Sequence, residues 1–176
     1  LYSKNDIAGV FGNQPDLYFD MWALQDQKNF KDDFFVNALK FAASKMRSTD
    51  KVNKEILLDL KNNYFDQKKI SFPVNLPPIK VLSAFGGFGI YKIKNIIKNK
   101  NIYVGEQEFI LKFKDGIDKK IFYQKCEHLS FHQGIKNMNL NLFILPYLIN
   151  SETKGFDIYP QSAFAFIINK EKLDIF

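Results

Sequence analysis

The chain of 176 residues holds a single cysteine, Cys126, so neither a disulfide framework nor a cysteine-based zinc cluster can be built from it. Long apolar runs are missing too, and none approaches the roughly 20 residues that a membrane-spanning helix needs. The first residues carry no basic segment followed by an apolar one, so no signal peptide is expected. Together these absences set the expectation of a cytoplasmic protein with no transmembrane segment. Histidine is confined to His128 and His132, and Arg47 is the only arginine. No Gly-Lys-Ser/Thr follows the glycine-rich stretch, which excludes a Walker loop, and a GxGxxG fingerprint is also lacking. Internal repeats and low-complexity linkers are absent.

What is present is close to the globular average. Hydrophobic residues make up 46% and charged residues 25%, which excludes disorder, collagen and a simple coiled coil. The length suits one ordinary domain or a substantial part of a larger one, and residues 1–176 are read as a single domain. The net charge of +6 favours anionic partners. Its lysines are dispersed, however, and lack the dense clusters of a nucleic-acid face, so most are read as a solvated surface and no nucleic-acid partner is expected. Aromatics reach 16%, with 19 Phe. Most of these are assigned to the core and a few to a site for flat or sugar-like ligands.

Along the chain, residues 6–12 (DIAGVFG) read as a short buried strand, and 13–15 as a turn. Residues 16–26 alternate aromatics with carboxylates and admit no firm placement. An amphipathic helix is predicted over 34–46, where Phe35, Leu39, Ala42 and Met46 recur at three- to four-residue spacing. A second is predicted over 52–62, with Ile56, Leu57 and Leu60 as its stripe. Pro73, Pro77 and Pro78 forbid helix. A central strand is expected over 79–85, extended structure over 88–91, a short helix over 92–98 and a strand over 108–114. The Asp115-Gly116 pair reads as a turn. A helix over 125–136 and strands over 140–145 and 163–168 complete the reading. Helices interleave with strands, which makes the class α/β or α+β.

Three segments hold candidate chemistry. Cys126-Glu127-His128-Leu129-Ser130-Phe131-His132 contains both histidines, four apart, a spacing that puts them on one helical face and suits a shared divalent metal. Glu127 is the neighbouring candidate for a general base. The order of Glu and His is not that of a zinc protease, and the plainer alternative is a helix whose histidines hydrogen-bond locally. Ser83-Ala84-Phe85-Gly86-Gly87-Phe88-Gly89-Ile90-Tyr91 lets backbone pass close to a ligand or take positive φ, or else forms a bulge in a Phe-rich core. Tyr18-Phe19-Asp20-Met21-Trp22-Ala23-Leu24-Gln25-Asp26 pairs the only Trp with carboxylates, a combination that suits a sugar. A core Trp beside solvent-facing acids is the alternative.

In this order, YFDMWALQD, VLSAFGGFGIYK and CEHLSFH resemble glycosyltransferases of the GT-A fold. The likeness is greatest to a viral and microbial group with a Tyr-Tyr-Asp-x-Trp-Ala-Leu-Arg-like stretch, a Ser-Ala-Phe-Gly-Gly-like strand and a Cys-Glu-His-x-x-Phe-His-like stretch. It covers about residues 6–145. The resemblance implies an α/β, GT-A-like fold, a Rossmann-like mixed sheet flanked by helices. It implies a nucleotide-sugar donor, a glycan or other hydroxyl acceptor and a divalent cofactor, Mn²⁺ or Mg²⁺. Phe85, Gly86 and Gly87 would lie beside donor sugar and acceptor, with Asp20 and Trp22 near one of them. Glu127 would be the catalytic base of an inverting reaction, and His132 or His128 would complete the metal site.

Two departures stand out. No Asp-x-Asp, the family's metal and diphosphate motif, occurs in the chain, and Gln25 stands where an Arg is expected. With Leu1 in place of Met, the sequence is expected to be the acceptor-side, C-terminal part of such an enzyme, largely without its nucleotide-binding half. The competing expectations are a non-catalytic carbohydrate-binding or interaction domain, a metal-dependent hydrolase using His128 and His132, and, more distantly, a nucleic-acid binder.

Overall fold

The run IAGVFGN is small and apolar throughout, and it forms β1 (Ile7–Asn13), a strand buried at every position. Such continuous burial belongs to a strand inside a sheet with both faces covered. In the computed structural model, which describes residues 6–15, 18, 21–26, 33–98, 106–124 and 126–150, β1 is central. The other strands of its sheet are β2 (Ile79–Val81), β3 (Gly89–Tyr91) and, last in the chain, β6 (Asn141–Ile149). Their spatial order is β2-β6-β1-β3. Only the β1–β6 pair is parallel; β3 runs antiparallel to β1, and β2 antiparallel to β6. The protein is therefore mixed α/β with a mixed sheet and helices.

Pairing of β1 with β6 shifts register between Phe11, opposite Ile144, and Asn13, opposite Ile149. Pro146 lies inside that slack. It has no N–H to give a ladder, and a bulge is where a strand accommodates it. Buried Asn13 closes the gap by donating from Nδ2 to the carbonyls of Pro146 at 2.8 Å and Phe72 at 2.7 Å. One apolar cluster joins Ile7, Val10 and Leu145, with Phe143 and Leu148 against it.

The described chain divides into two compact units, each assembled from separated segments. The first contains this sheet, α3 (Ile93–Lys98) and α4 (Glu127–Asn137). The second contains α1 (Phe34–Lys45), α2 (Lys54–Leu60) and the hairpin of β4 (Glu106–Lys112) with β5 (Asp118–Gln124). In the second unit, Asn53 caps α2 by accepting from the Ile56 N–H at 2.9 Å. The helix predicted to stop at residue 62 instead widens into a π-turn, Lys61–Phe65. The wider turn buries both Tyr64 and Phe65. Their rings meet Phe34 at 5.3 and 5.4 Å, and the Tyr64 hydroxyl donates to the Phe34 carbonyl. Aromatic core packing thus outweighs the regular helical repeat.

Two further expectations change. The strand predicted over 79–85 is neither central nor that long, since β2 is a three-residue edge strand. Two prolines precede it, and beyond Val81 the chain turns away to pair with Gln25. The strand β5 has no counterpart in the sequence reading, because its Asp-Lys-Lys start hides the alternation. The expected strand over 163–168 lies outside the described residues. Among the described residues, no helix is long and apolar enough to cross a membrane.

Candidate functional site

Ser83 ties the three sequence segments together. Its backbone forms an antiparallel bridge with Gln25: the Gln25 N–H donates to the Ser83 carbonyl at 2.9 Å, and the Ser83 N–H donates to the Gln25 carbonyl at 3.2 Å. The Ser83 hydroxyl lies 2.7 Å from His132 Nδ1. On the other side of that ring, the Tyr91 hydroxyl lies 2.7 Å from Nε2. Ser83 and His132 are both essentially inaccessible to solvent. A neutral imidazole has one N–H and one lone pair, so one hydroxyl donates to the ring and the other accepts from it.

Burial, and secondarily the nearby His128, push the His132 pKa from 6.5 down to about 3. His132 is thus a neutral clip joining α4, the Ser83 segment and β3. Phe11 and Tyr91 pack around it, with ring centroids 5.1 and 5.8 Å away.

Four residues earlier on α4, His128 stacks on Phe85, with centroids 4.3 Å apart and planes inclined by 17°. The two histidines do share a face, with ring centroids 5.8 Å apart. Phe85 and Trp22 are partly buried against the cluster of Ala23, Cys126 and Leu129. Cys126 is buried at the N-cap of α4. Glu127 follows in the first turn, half exposed, with Oε1 3.8 Å from His128 Nε2. A carboxylate is well placed there, because the unpaired N–H groups of a helix start favour negative charge.

After Phe85 the chain reverses through Gly86 and Gly87, at φ of 61° and 78°. A side chain at Gly86 would be strained by that backbone, and its Cβ would come within 2.6 Å of the Gly12 carbonyl oxygen. Asn150 holds the turn from the far side, donating from Nδ2 to the Gly86 carbonyl at 3.0 Å. The Asn150 N–H in turn donates to the Asn13 carbonyl.

The structure therefore brings Trp22, Phe85, Gly86, Gly87, Glu127, His128 and His132 into one unit. Asp20 lies outside the described residues. Sequence reasoning did not single out Ser83, Tyr91, Asn13 or Asn150. Ser83 and Tyr91 sit inside the quoted glycine-rich segment, but a hydroxyl partner of a buried histidine has no local signature. Asn13 reads as a turn residue, and only the β1–β6 register shift makes it a clip.

The donor set does not fit a divalent ion on His132. A cation at Nδ1 would have to displace Ser83, and one at Nε2 would have to displace Tyr91. Beside it, Glu127 and His128 offer two donors. Among the described residues, no three His, Cys, Asp or Glu side chains converge as a metal group. Comparison with protein-family models, curated proteins and solved structures finds no match.

Proposed function

We propose that the chain is a glycosyltransferase, moving a sugar from a nucleotide-sugar to a hydroxyl of a glycan or other acceptor. The observation that carries this reading is Ser83, whose backbone pairs with Gln25 and whose hydroxyl meets His132. Through it, the three segments that resemble GT-A transferases are spatial neighbours as well as ordered in sequence. A chance coincidence of motifs would not require the three segments to bond to one another.

In this reading Glu127 is the base. Its half-exposed carboxylate takes the proton of the acceptor hydroxyl as the oxygen attacks the anomeric carbon. The new glycosidic C–O bond forms while the bond to the diphosphate breaks, and the nucleoside diphosphate leaves with the electron pair. Attack opposite the leaving group inverts the anomeric centre. His128, stacked on Phe85, is the ring nearest that carboxylate, with Nε2 3.8 Å from Oε1, and positions it. Gly86 and Gly87 shape the turn that follows Phe85, and half-buried Trp22 offers an apolar face. The clip residue His132 keeps Ser83 and Tyr91 in register and takes no part in the bond changes.

The test is donor binding and turnover with the full chain. Saturation-transfer NMR across a panel of nucleotide-sugars reads binding, and nucleoside diphosphate release reads turnover. For a donor that binds, Glu127→Gln is expected to lower turnover by about 10²–10⁴-fold, the usual span for a lost general base, while donor affinity stays within a few-fold. Retained turnover would remove Glu127 from the base role. Binding of free glycans without any nucleotide-sugar, unaffected by Glu127→Gln, would identify a carbohydrate-binding module instead.

A further inference from the structure

The short helix α3 buries only one side. Asn95 is buried and Ile96 half-buried, while Ile93 is 69% and Ile97 77% exposed. Residues four apart stack on one helical face, so the two isoleucines form an apolar ridge. Lys94 and Lys98, both exposed, form a second ridge beside it. Neither lysine has an ion-pair partner among the described residues. The surrounding sequence has the same sign: from Ile70 to Gly105 there is no Asp or Glu, while Lys80, Lys92, Lys94, Lys98 and Lys100 all fall there. The helix follows β3, which is an edge strand, and the Lys92 N–H donates to the Ala8 carbonyl of β1. The ridge is therefore anchored to the sheet.

Scattered exposed apolar residues are ordinary, but two isoleucines aligned on one helix beside a matching row of lysines are not a random scatter. The combination selects its partner. A nucleic acid would be served by the lysines but leaves the isoleucines in water. An apolar protein groove would be served by the isoleucines but would leave Lys94 and Lys98 without a counter-charge. An anionic bilayer satisfies both, because alkyl side chains enter the boundary below the headgroups while lysines spread their stems and meet the phosphates. We propose that α3 docks the protein on an anionic membrane surface, with Ile93 and Ile97 inserted and Lys94 and Lys98 on the headgroups.

The experiment is co-sedimentation of the full chain with vesicles of phosphatidylcholine, alone or mixed with phosphatidylglycerol. Binding is expected on the mixed vesicles, much weaker on the neutral ones, and falling as salt is raised. Neutralising each lysine should weaken the partition about fivefold, so Lys94→Gln/Lys98→Gln should lose about 25-fold. Ile93→Ser/Ile97→Ser should abolish binding at unchanged charge. Since all four side chains are exposed, the thermal midpoints of both variants should match the parent, which separates lost docking from lost folding.

Equal binding by the isoleucine variant, equal binding to both vesicle types, or no vesicle binding at all would overturn the proposal. Self-association without vesicle binding, lost in Ile93→Ser/Ile97→Ser, would overturn it in favour of a second copy of the chain. Vesicle binding is read without turnover, so it succeeds or fails independently of the transferase reading.

Discussion

His132 holds its place through two hydroxyls and a low pKa, and the two features have one cause. The site that excludes water leaves the ring no solvent to stabilise a proton, while Ser83 and Tyr91 satisfy both nitrogens of the neutral form. The consequence for stability has a definite sign. The folded pKa, about 3, lies below the ordinary 6.5, so between those values the unfolded chain binds the extra proton. Stability from this group is complete above about pH 6.5 and falls as pH drops through that window, by up to about 1.4 kcal/mol per pH unit.

Asp66 is held below 3.8 by its hydrogen bonds to Lys69 and then Lys61, so its contribution persists above 3.8 and is lost only as pH falls through the lowered value. Urea unfolding followed by Trp22 fluorescence should therefore show a stability loss between about pH 6 and 4.5. In His132→Gln that slope should flatten, although the variant starts less stable. An unchanged slope would mean that His132 is not the titrating group. Glu127 belongs to this scale as well: on the transferase reading Glu127→Gln should cost turnover, while stability falls by no more than about 0.3–1 kcal/mol, the worth of a half-exposed charge at a helix start.

Among the elements, α4 was legible early. Its predicted span of 125–136 agrees closely with Glu127–Asn137, and the four-residue spacing does put both histidines on one face. What the spacing left open was which way that face points. Periodicity sees a pair of imidazoles. The packed structure distinguishes a buried, doubly bonded His132 from a partly exposed His128 stacked on Phe85.

The glycine turn is the second instructive element. Gly86 needs both its positive φ and its missing side chain, so Gly86→Ala should destabilise the first unit by about 2–4 kcal/mol, combining left-handed strain with a clash against fixed backbone. Thermal denaturation reads the effect. A loss under about 0.5 kcal/mol, ordinary for a surface change, would show that the turn relaxes freely. The π-turn after α2 was not legible, because helix signals end with the local sequence. The pull on Tyr64 and Phe65 comes from Phe34, thirty residues away.

At the scale of the whole molecule, the first unit depends on a parallel pair whose strands lie at opposite ends of the described chain. Ile144 is fully buried in β6, opposite Phe11 on β1 and Ile79 on β2, so it joins three strands at once. Ile144→Ala should cost about 2–5 kcal/mol, with the loss reported by Trp22 in the same unit. A smaller cost would mean that the sheet closes around the space.

By itself, the sequence determined the mixed α/β class, the strand at residues 6–12, the helices around α1 and α4, the turn at Asp115-Gly116 and the segments that carry polar chemistry. These rest on period, turn residues and side-chain type, all of which act within a few neighbours. Tertiary structure alone decided that β1 is central and β2 an edge, that Asn13 bridges a register shift, and that Ser83 links Gln25 to His132. Each is a contact between residues far apart in the chain. Such contacts form because burying a backbone or ring polar group demands a partner wherever the fold can supply one, and no local pattern encodes where that is.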